Sequence, residues 1–215
     1  MSAPLELRDA LPAPRSTRRD HAARLARMSA ILEIPEVRRR VSHLTVEEYH
    51  RLDEFNENGK RTELIRGIII EKTSKSPAHC YVIHSLREQL SRQLPDGFLI
   101  LQHDPITLTD SEPEPDIAVV CGADADFTEA HPTTAALVIE VAFTTLALDR
   151  AGASMYAEAG VKEYWIVLGL EQQVEVYRRP VGGVYEERTM FRADETIECS
   201  SVPEVRVRVS ELFAN

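Results

Sequence analysis

Apolar residues along the chain fall into short runs separated by polar segments, and the spacing inside each run predicts the local structure. Three runs are nearly continuous: DIAVVC at 116–121, ALVIEVAF at 136–143 and EYWIVL at 163–168. Short continuous runs of this kind are typical of strands that are covered on both faces of a sheet. Between the second and third runs, residues 149–160 predict a helix that stops at Gly160. The alternation predicts a mixed α/β fold.

The segments before these runs carry capping and turn signals. Thr45 and Glu48 form a capping box, which predicts a helix over 44–56. Residues 62–72 predict either one strand or a tight hairpin that turns at Gly67. Further strands are expected where FLILQH and PITL stand at 98–103 and 105–108, and alternating segments after residue 170 predict hairpins.

A helix is also predicted from Ser76 to about Leu94, because a Ser-Pro pair supplies an N-cap and a first-turn proline. His79 shares the inward face of this helix with three aliphatic residues at spacings of three and four. We interpret His79 as a hydrogen-bonded residue at the edge of the core, with a ligand role as the alternative.

Two carboxylates stand in the apolar runs. Asp116 lies at the start of one run and Glu140 lies inside another. A lone carboxylate in a covered strand costs several kcal/mol unless it is paired, protonated or bound to a cation. On neighbouring strands, about 4.8 Å apart, the two would form an oxygen-rich site suited to Mg²⁺ or Mn²⁺. The alternative is that Asp116 caps a strand and Glu140 pairs with a buried arginine, and both interpretations stay open.

Charge divides the chain into two parts. The first 42 residues hold nine Arg, no Lys and five acidic residues, which gives a net charge of +4. Because the whole chain carries −10, the remaining residues carry −14. Residues 1–42 are predicted to be a basic, mostly disordered extension, and residues 43–215 one folded domain. The extension is interpreted either as a basic arm that contacts nucleic acid or as an unstructured leader with Met28 as the true start.

Composition excludes several classes of protein. A net charge of −10 opposes a large sequence-independent affinity for nucleic acid, although a divalent ion can supply positive charge locally. The three cysteines lack CxxC spacing, so we expect reduced thiols and no zinc site. Since no apolar run approaches the ~20 residues of a membrane span, we expect no membrane association and a cytoplasmic location.

Several of these segments together resemble the Uma-type restriction endonuclease family, a branch of the PD-(D/E)XK nuclease superfamily. The resemblance runs from about His43 to Pro180. It rests on EPEPDIAVV at 112–120, ALVIEVA at 136–142, DRxxxxxYAEAGVKEYWIV at 149–167, TELIRGIIIEK at 62–72 and SPAH at 76–79. It implies a restriction-endonuclease-like core, a mixed central sheet flanked by helices, with a hairpin-rich C-terminal part. It further implies Mg²⁺-dependent or Mn²⁺-dependent hydrolysis of DNA phosphodiester bonds.

By this resemblance, Asp116 matches the first metal-binding aspartate of the superfamily and Glu140 matches the acid of (D/E)XK. Glu63 matches an upstream acidic position that joins the site, so the resemblance implies catalytic roles for all three. His79 matches a recurrent histidine at the start of the next helix.

The expected lysine is missing from both of its usual places. Family members carry it on the helix four residues before the tyrosine, where this chain has Gly152, and the strand position two after Glu140 is Ala142. Lys72 and Lys75 are the best remaining candidates for a cation. The enzyme interpretation therefore has an alternative, a catalytically weakened nuclease-like protein that serves as a binding or regulatory module. DNA is the expected partner, and a homodimer stays open.

Overall fold

The computed structural model describes residues 32–53 and 61–214. The chain divides into two compact units, residues 1–42 and 43–215, which are described separately. In the first unit, the described residues 32–42 contain helix α1 (Pro35–Arg38), which has no buried side chain. The disorder predicted for this extension and the alternative start at Met28 fall mostly outside the described residues and stay predictions.

The second unit opens with helix α2 (Val46–Asp53). Its start has both bonds of the predicted capping box: the Thr45 N–H donates to Glu48 Oε2 at 2.9 Å, and the Glu48 N–H donates to Thr45 Oγ1 at 3.2 Å. Tyr49 is the buried residue of this helix, and its hydroxyl donates to the Thr62 carbonyl at 2.9 Å. This bond joins α2 to the next strand.

Strands β1 (Thr62–Ile65) and β2 (Ile68–Glu71) form an antiparallel hairpin, which decides between the two predicted alternatives. Arg66 and Gly67 make its two-residue turn with φ of 52° and 74°. Positive φ at both central positions is the geometry of a type I′ turn, whose twist matches that of the flanking strands. The hairpin is therefore tight, and residues 72–76 lead directly from it into helix α3 (Pro77–Ser91).

A six-stranded sheet forms the centre of the unit. Its strands are β3 (Phe98–Leu101), β4 (Ile117–Cys121), β5 (Leu137–Ala142), β6 (Glu163–Leu168), β7 (Gln173–Val181) and β8 (Val184–Phe191), and they lie in this order across the sheet. Neighbouring strands are antiparallel except β5 and β6, which are parallel and are joined by helix α4 (Leu146–Glu158). The three continuous apolar runs are the central strands β4, β5 and β6, and the predicted fold class is confirmed.

The strand predicted at residues 105–108 is wrong. Ile106 and Leu108 are buried, which explains the alternating pattern, but their N–H groups donate to the carbonyls of Pro113 and Ser111 at 2.9 Å and 2.8 Å. The backbone bonds of this segment therefore go to the loop that leads into β4 and not to a sheet neighbour.

Both faces of the sheet are covered. One face packs against α3 and against a C-terminal hairpin of β9 (Thr196–Glu198) and β10 (Arg206–Arg208), which ends in a 3₁₀ turn at Val209–Leu212. The other face packs against α4, through Met155 and Tyr156. No helix in residues 32–53 or 61–214 is long and apolar enough to cross a bilayer. Glu140 lies on the α4 side, because side chains alternate along β5 and its neighbours Val138 and Ala142 pack there.

Candidate active site

A pocket of about 450 Å³ opens at the end of the sheet where β4 begins and β5 finishes. The β1–β2 hairpin, the start of α3 and the first turn of α4 form its walls. Its ionisable lining residues are Glu63, Glu71, Lys72, Lys75, His79, Glu114, Asp116, Glu140 and Asp149. The structure thus gathers six sequence-predicted site residues in one place, and Gly152 is the exception.

Strand pairing brings the two predicted metal ligands together. Ile117 of β4 pairs with Ile139 of β5 in antiparallel register, so the preceding residue Asp116 faces Glu140. The Asp116 N–H donates to Glu140 Oε2 at 3.2 Å, and the Val141 N–H donates to Asp116 Oδ2 at 2.9 Å. In the described part of the chain no arginine pairs with Glu140; the Tyr156 hydroxyl donates to its Oε1 at 3.1 Å. The two carboxyl groups are therefore fixed by backbone and tyrosine and point into the pocket.

Three cationic or titratable side chains surround Asp116. Lys75 Nζ lies 2.6 Å from its Oδ1, and His79 Nε2 lies 2.9 Å from its Oδ2. His103 Nε2 lies 3.4 Å from Oδ1 and makes no hydrogen bond among the described residues. Burial by itself raises the pKa of Asp116, but the His103 and His79 rings and the charge of Lys75 outweigh it and hold that pKa well below its usual range.

The pKa of Glu140 is shifted in the opposite direction. Burial, followed by the negative charges of Asp116, Asp149 and Glu63, raises it well above the usual range. Asp149, in the first turn of α4, accepts a hydrogen bond from Thr145 Oγ1 at 2.7 Å. Burial nevertheless raises its pKa to about 6. The raised pKa means that the protonated form of Glu140 is favoured in the pocket by itself, and a bound cation would favour the ionised form.

Glu63 and Lys72 form the rim that the hairpin contributes. Lys72 Nζ donates to Glu63 Oε2 at 3.1 Å and to the Glu114 carbonyl at 2.8 Å, and the Glu114 N–H lies 3.3 Å from Glu63 Oε2. These bonds hold β2 against the segment that leads to Asp116. Glu63 is thus close to the carboxylate pair but is already held by an ammonium group.

Gly152 does not line the pocket. A Cβ placed there would lie 3.9 Å from Tyr156 Cε2 and 4.0 Å from the Tyr164 hydroxyl, which are ordinary van der Waals distances. Because the Tyr156 hydroxyl contacts Glu140, a long side chain at position 152 could reach the carboxylates from the side of α4. A side chain can therefore begin at position 152 without a clash at its Cβ.

Two residues near the carboxylate pair, His103 and Asp149, are not predicted as site residues by the sequence. His103 follows β3 in a loop with φ of 61°, a conformation that no hydrophobic period encodes. Asp149 begins the DRxxxxxY segment, for which the sequence predicts only a helix. Its position in the first helical turn beside an apolar strand end was the available signal.

Mg²⁺ or Mn²⁺ is the cofactor that the fold class implies, and the donor set suits it. The pocket offers the carboxylate oxygens of Asp116 and Glu140, with Glu63 and Asp149 also in its lining, and oxygen donors of this kind suit a hard divalent ion. Among the described residues, no three His, Cys, Asp or Glu side chains are grouped closely enough to hold an ion by themselves. Asp116 and Glu140 would therefore share the ion with water or substrate oxygens, which is the usual situation for Mg²⁺.

A second cavity, of about 530 Å³, lies between α3 and the β9–β10 hairpin. Its arginines are ion-paired: Arg206 lies 3.3 Å from Glu198, and Arg208 lies 3.3 Å from Glu211. Both carboxylates in its lining, Glu198 and Glu211, belong to these ion pairs. The pocket at the end of β4 and β5 is the better candidate for chemistry.

A mixed six-stranded sheet flanked by helices, with a carboxylate pair at the end of two neighbouring strands, is the arrangement expected for a restriction-endonuclease-like fold. Residues 46–210 match the model of the Uma2 family, described as "Putative restriction endonuclease", and the chain belongs to this family. A crystal structure of a protein from Anabaena variabilis ATCC 29413, described as a "putative nuclease belonging to DUF820", has the same fold with a TM-score of 0.68. The two are 20% identical, over 79% of this chain and 97% of that chain. No curated protein matches.

Proposed function

We propose that this protein is a metal-dependent endonuclease that hydrolyses phosphodiester bonds of DNA, with Mg²⁺ or Mn²⁺ as cofactor. The observation that carries the proposal is the convergence of Asp116 and Glu140 through the β4–β5 register, with backbone N–H groups fixing both carboxyl groups. Family membership supports the reaction class, since the family is described as "Putative restriction endonuclease".

The residues of the pocket would divide the work as follows. Asp116 and Glu140 would hold the ion, and Glu63 would add negative charge at the rim. The ion, when bound, would supply positive charge to polarise a phosphoryl oxygen and to lower the pKa of a water molecule. Tyr156 would orient Glu140 through its hydroxyl, and His79 and the Val141 N–H would orient Asp116. Preorganised groups of this kind are often worth several kcal/mol of transition-state stabilisation.

A catalytically weakened binding or regulatory module is the second candidate function. Gly152, at the usual place of the lysine, favours it. The presence of Lys72 and Lys75 in the same pocket favours the enzyme, because a cation is available there by another route.

Cleavage by the purified protein tests the proposal. We expect supercoiled or linear DNA to be cut with Mg²⁺ or Mn²⁺ and not with EDTA. Asp116→Asn and Glu140→Gln should each lower the rate at least about 100-fold, which corresponds to ~2.7 kcal/mol. Glu187→Gln, the same type of change on the exposed strand β8, should cut like the wild type.

Thermal unfolding with and without Mn²⁺ separates the two candidate functions. An ion that binds only the native state raises the melting temperature, and both site variants should lose this rise. A wild type that responds to Mn²⁺ but cuts neither DNA nor RNA would support the binding module. A wild type that does neither would show that the site assignment is wrong.

A further inference from the structure

The two lysines of the pocket differ in how their ammonium groups are used. Lys72 is held between Glu63 Oε2 at 3.1 Å, the Glu114 carbonyl at 2.8 Å and Glu114 Oε2 at 3.6 Å. The first two contacts are hydrogen bonds and the third is an ion pair, so two of the three N–H bonds of the Lys72 ammonium group are already used. Lys72 is thus committed to joining the hairpin to the segment before β4.

Lys75 has a different environment. Its ammonium group donates to Asp116 Oδ1 at 2.6 Å, and this is its one hydrogen bond within the described residues. Its side chain is 19% exposed and lines the pocket. Two N–H bonds therefore remain for a group that enters the pocket beside Asp116.

The backbone around Lys75 holds this arrangement in place. The next residue, Ser76, is the N-cap of α3, and its hydroxyl accepts from the His79 N–H at 3.2 Å. His79 in turn contacts the other oxygen of Asp116. Lys75 and His79 therefore approach Asp116 from one preorganised segment and contact its two different oxygens.

We infer that Lys75 is the catalytic cation of this chain and replaces the helix lysine whose position is Gly152. The inference rests on the proposed endonuclease function. The ammonium group would contact a non-bridging oxygen of the scissile phosphate and the attacking water, where negative charge develops.

The step balances without any change at the lysine. The water oxygen forms the new bond to phosphorus and releases one proton to solvent. The bond from phosphorus to the leaving sugar oxygen breaks, and that oxygen takes up one proton from solvent. Lys75 stays protonated throughout, so it acts through its charge and its hydrogen bonds.

Position 152 provides a test of whether Lys75 replaces the helix lysine. Gly152 lies on α4 next to Tyr156, whose hydroxyl contacts Glu140, and a Cβ can be added there without a clash. If the pocket needs one ammonium group and Lys75 supplies it, then a lysine at position 152 should be largely redundant in the wild type. It should become important when Lys75 is removed.

The experiment compares Lys75→Met, Lys75→Arg, Lys72→Met and the double variant Lys75→Met/Gly152→Lys, with Lys162→Met as the control. Lys162 is exposed and lies outside the pocket. Lys75→Met should lower kcat for DNA cleavage at least 100-fold, Lys75→Arg should retain part of it, and the double variant should recover at least tenfold. Lys72→Met should lower the melting temperature and reduce kcat less than tenfold. Lys75→Gln replaces Lys75→Met if the latter is not folded by circular dichroism.

The dissociation constant for Mn²⁺ is the readout that does not depend on cleavage. Lys75→Met should bind Mn²⁺ at least as tightly as the wild type, because an ammonium group no longer competes for Asp116 Oδ1. Weaker Mn²⁺ binding would show that Lys75 positions a ligand, and would overturn the inference. The inference would also be overturned if Lys75→Met cleaved DNA at the wild-type rate, or if a folded double variant recovered no activity. If the wild type itself cuts no DNA, the proposed function fails and this inference with it, whereas the other failures leave the proposed function standing.

Discussion

At the scale of single residues, opposite pKa shifts within one pocket carry most of the chemical argument. Asp116 is surrounded by Lys75, His79 and His103, which favour its ionised form. The pKa of Glu140 is raised by burial and by Asp116, Asp149 and Glu63, which outweigh the opposite effect of Lys72. Pairs of titratable groups whose environments separate their pKa values are characteristic of functional sites. The separation arises because Lys75, His79 and His103 all lie within 3.4 Å of Asp116 carboxylate oxygens, whereas Glu140 receives its hydrogen bonds from the Tyr156 hydroxyl and a backbone N–H.

Asp149 gives a pH prediction at this scale. Its pKa is about 6 in the folded protein, above the ~3.9 of an unfolded chain. Between these values the folded state keeps a proton that the unfolded state has lost, so this group's contribution to stability falls as pH rises through that window. In EDTA, the wild type should therefore lose stability from pH 5 to pH 7, and Asp149→Asn should lose less of it.

Urea midpoints at the two pH values measure this effect, and Asp194→Asn, at an exposed position, is the control. Some slope should remain in Asp149→Asn, since the pKa of Glu140 is also raised. Parallel curves for Asp149→Asn and the wild type would contradict the assignment of a raised pKa to Asp149.

The sequence identified site residues where a side chain conflicted with its surroundings. Glu140 was visible because a carboxylate stood in an apolar strand, and Asp116 because it opened one. Their roles, like those of Glu63, His79, Lys72 and Lys75, remain predictions, although the structure places all six at one pocket. His103 could not be found, because a histidine in a loop conflicts with nothing in the sequence. Its relation to Asp116 depends on the tertiary path of the chain.

At the scale of elements, short continuous apolar runs predict strands correctly here, because strands covered on both faces require them and the runs are shorter than a typical buried helix. This holds for β4, β5 and β6, whose residues are almost all buried. The segment 105–108 was misread because burial alternates there without sheet pairing. The β1–β2 hairpin could not be separated from a single strand by pattern alone. Its two-residue turn is set by Arg66 and Gly67 together.

Gly67 supports a prediction on this hairpin. It has φ of 74°, and a Cβ added to it would lie 2.5 Å from His43 Cβ and 3.0 Å from the Leu44 carbonyl oxygen. Gly182, in the β7–β8 turn, also has a positive φ of 57°, but a Cβ there meets nothing within 4 Å. Both substitutions to alanine incur the left-handed backbone cost of roughly 1–2 kcal/mol, and only Gly67→Ala adds a clash with backbone.

Gly67→Ala should therefore lower the free energy of unfolding by at least about 2 kcal/mol more than Gly182→Ala does. Chemical denaturation of both variants provides the comparison. Equal losses would mean that the segment at His43 moves aside without cost. In that case the hairpin would not be anchored by this contact.

At the scale of the whole molecule, charge and family coverage point to the same division. The family match begins at residue 46 and the second compact unit at His43, while the basic excess lies in residues 1–42. The remainder carries −14, so under the proposed function its attraction to DNA would have to be local, through a divalent ion and the pocket lysines. The whole-chain net charge alone hides this asymmetry.

Deletion of residues 1–42 tests this division. Three prolines before residue 15 and the absence of a continuous apolar face predict that the extension adds little to the core. The fragment 43–215 should keep the wild-type denaturation midpoint and the full rise in melting temperature with Mn²⁺. DNA binding at two salt concentrations then separates the two interpretations of the extension. A basic arm would make the affinity of the full chain fall more steeply with salt than that of the fragment, because its arginines release counterions, whereas an unstructured leader would leave equal slopes. A large loss of stability on deletion would instead show that residues 1–42 contribute to the folded core.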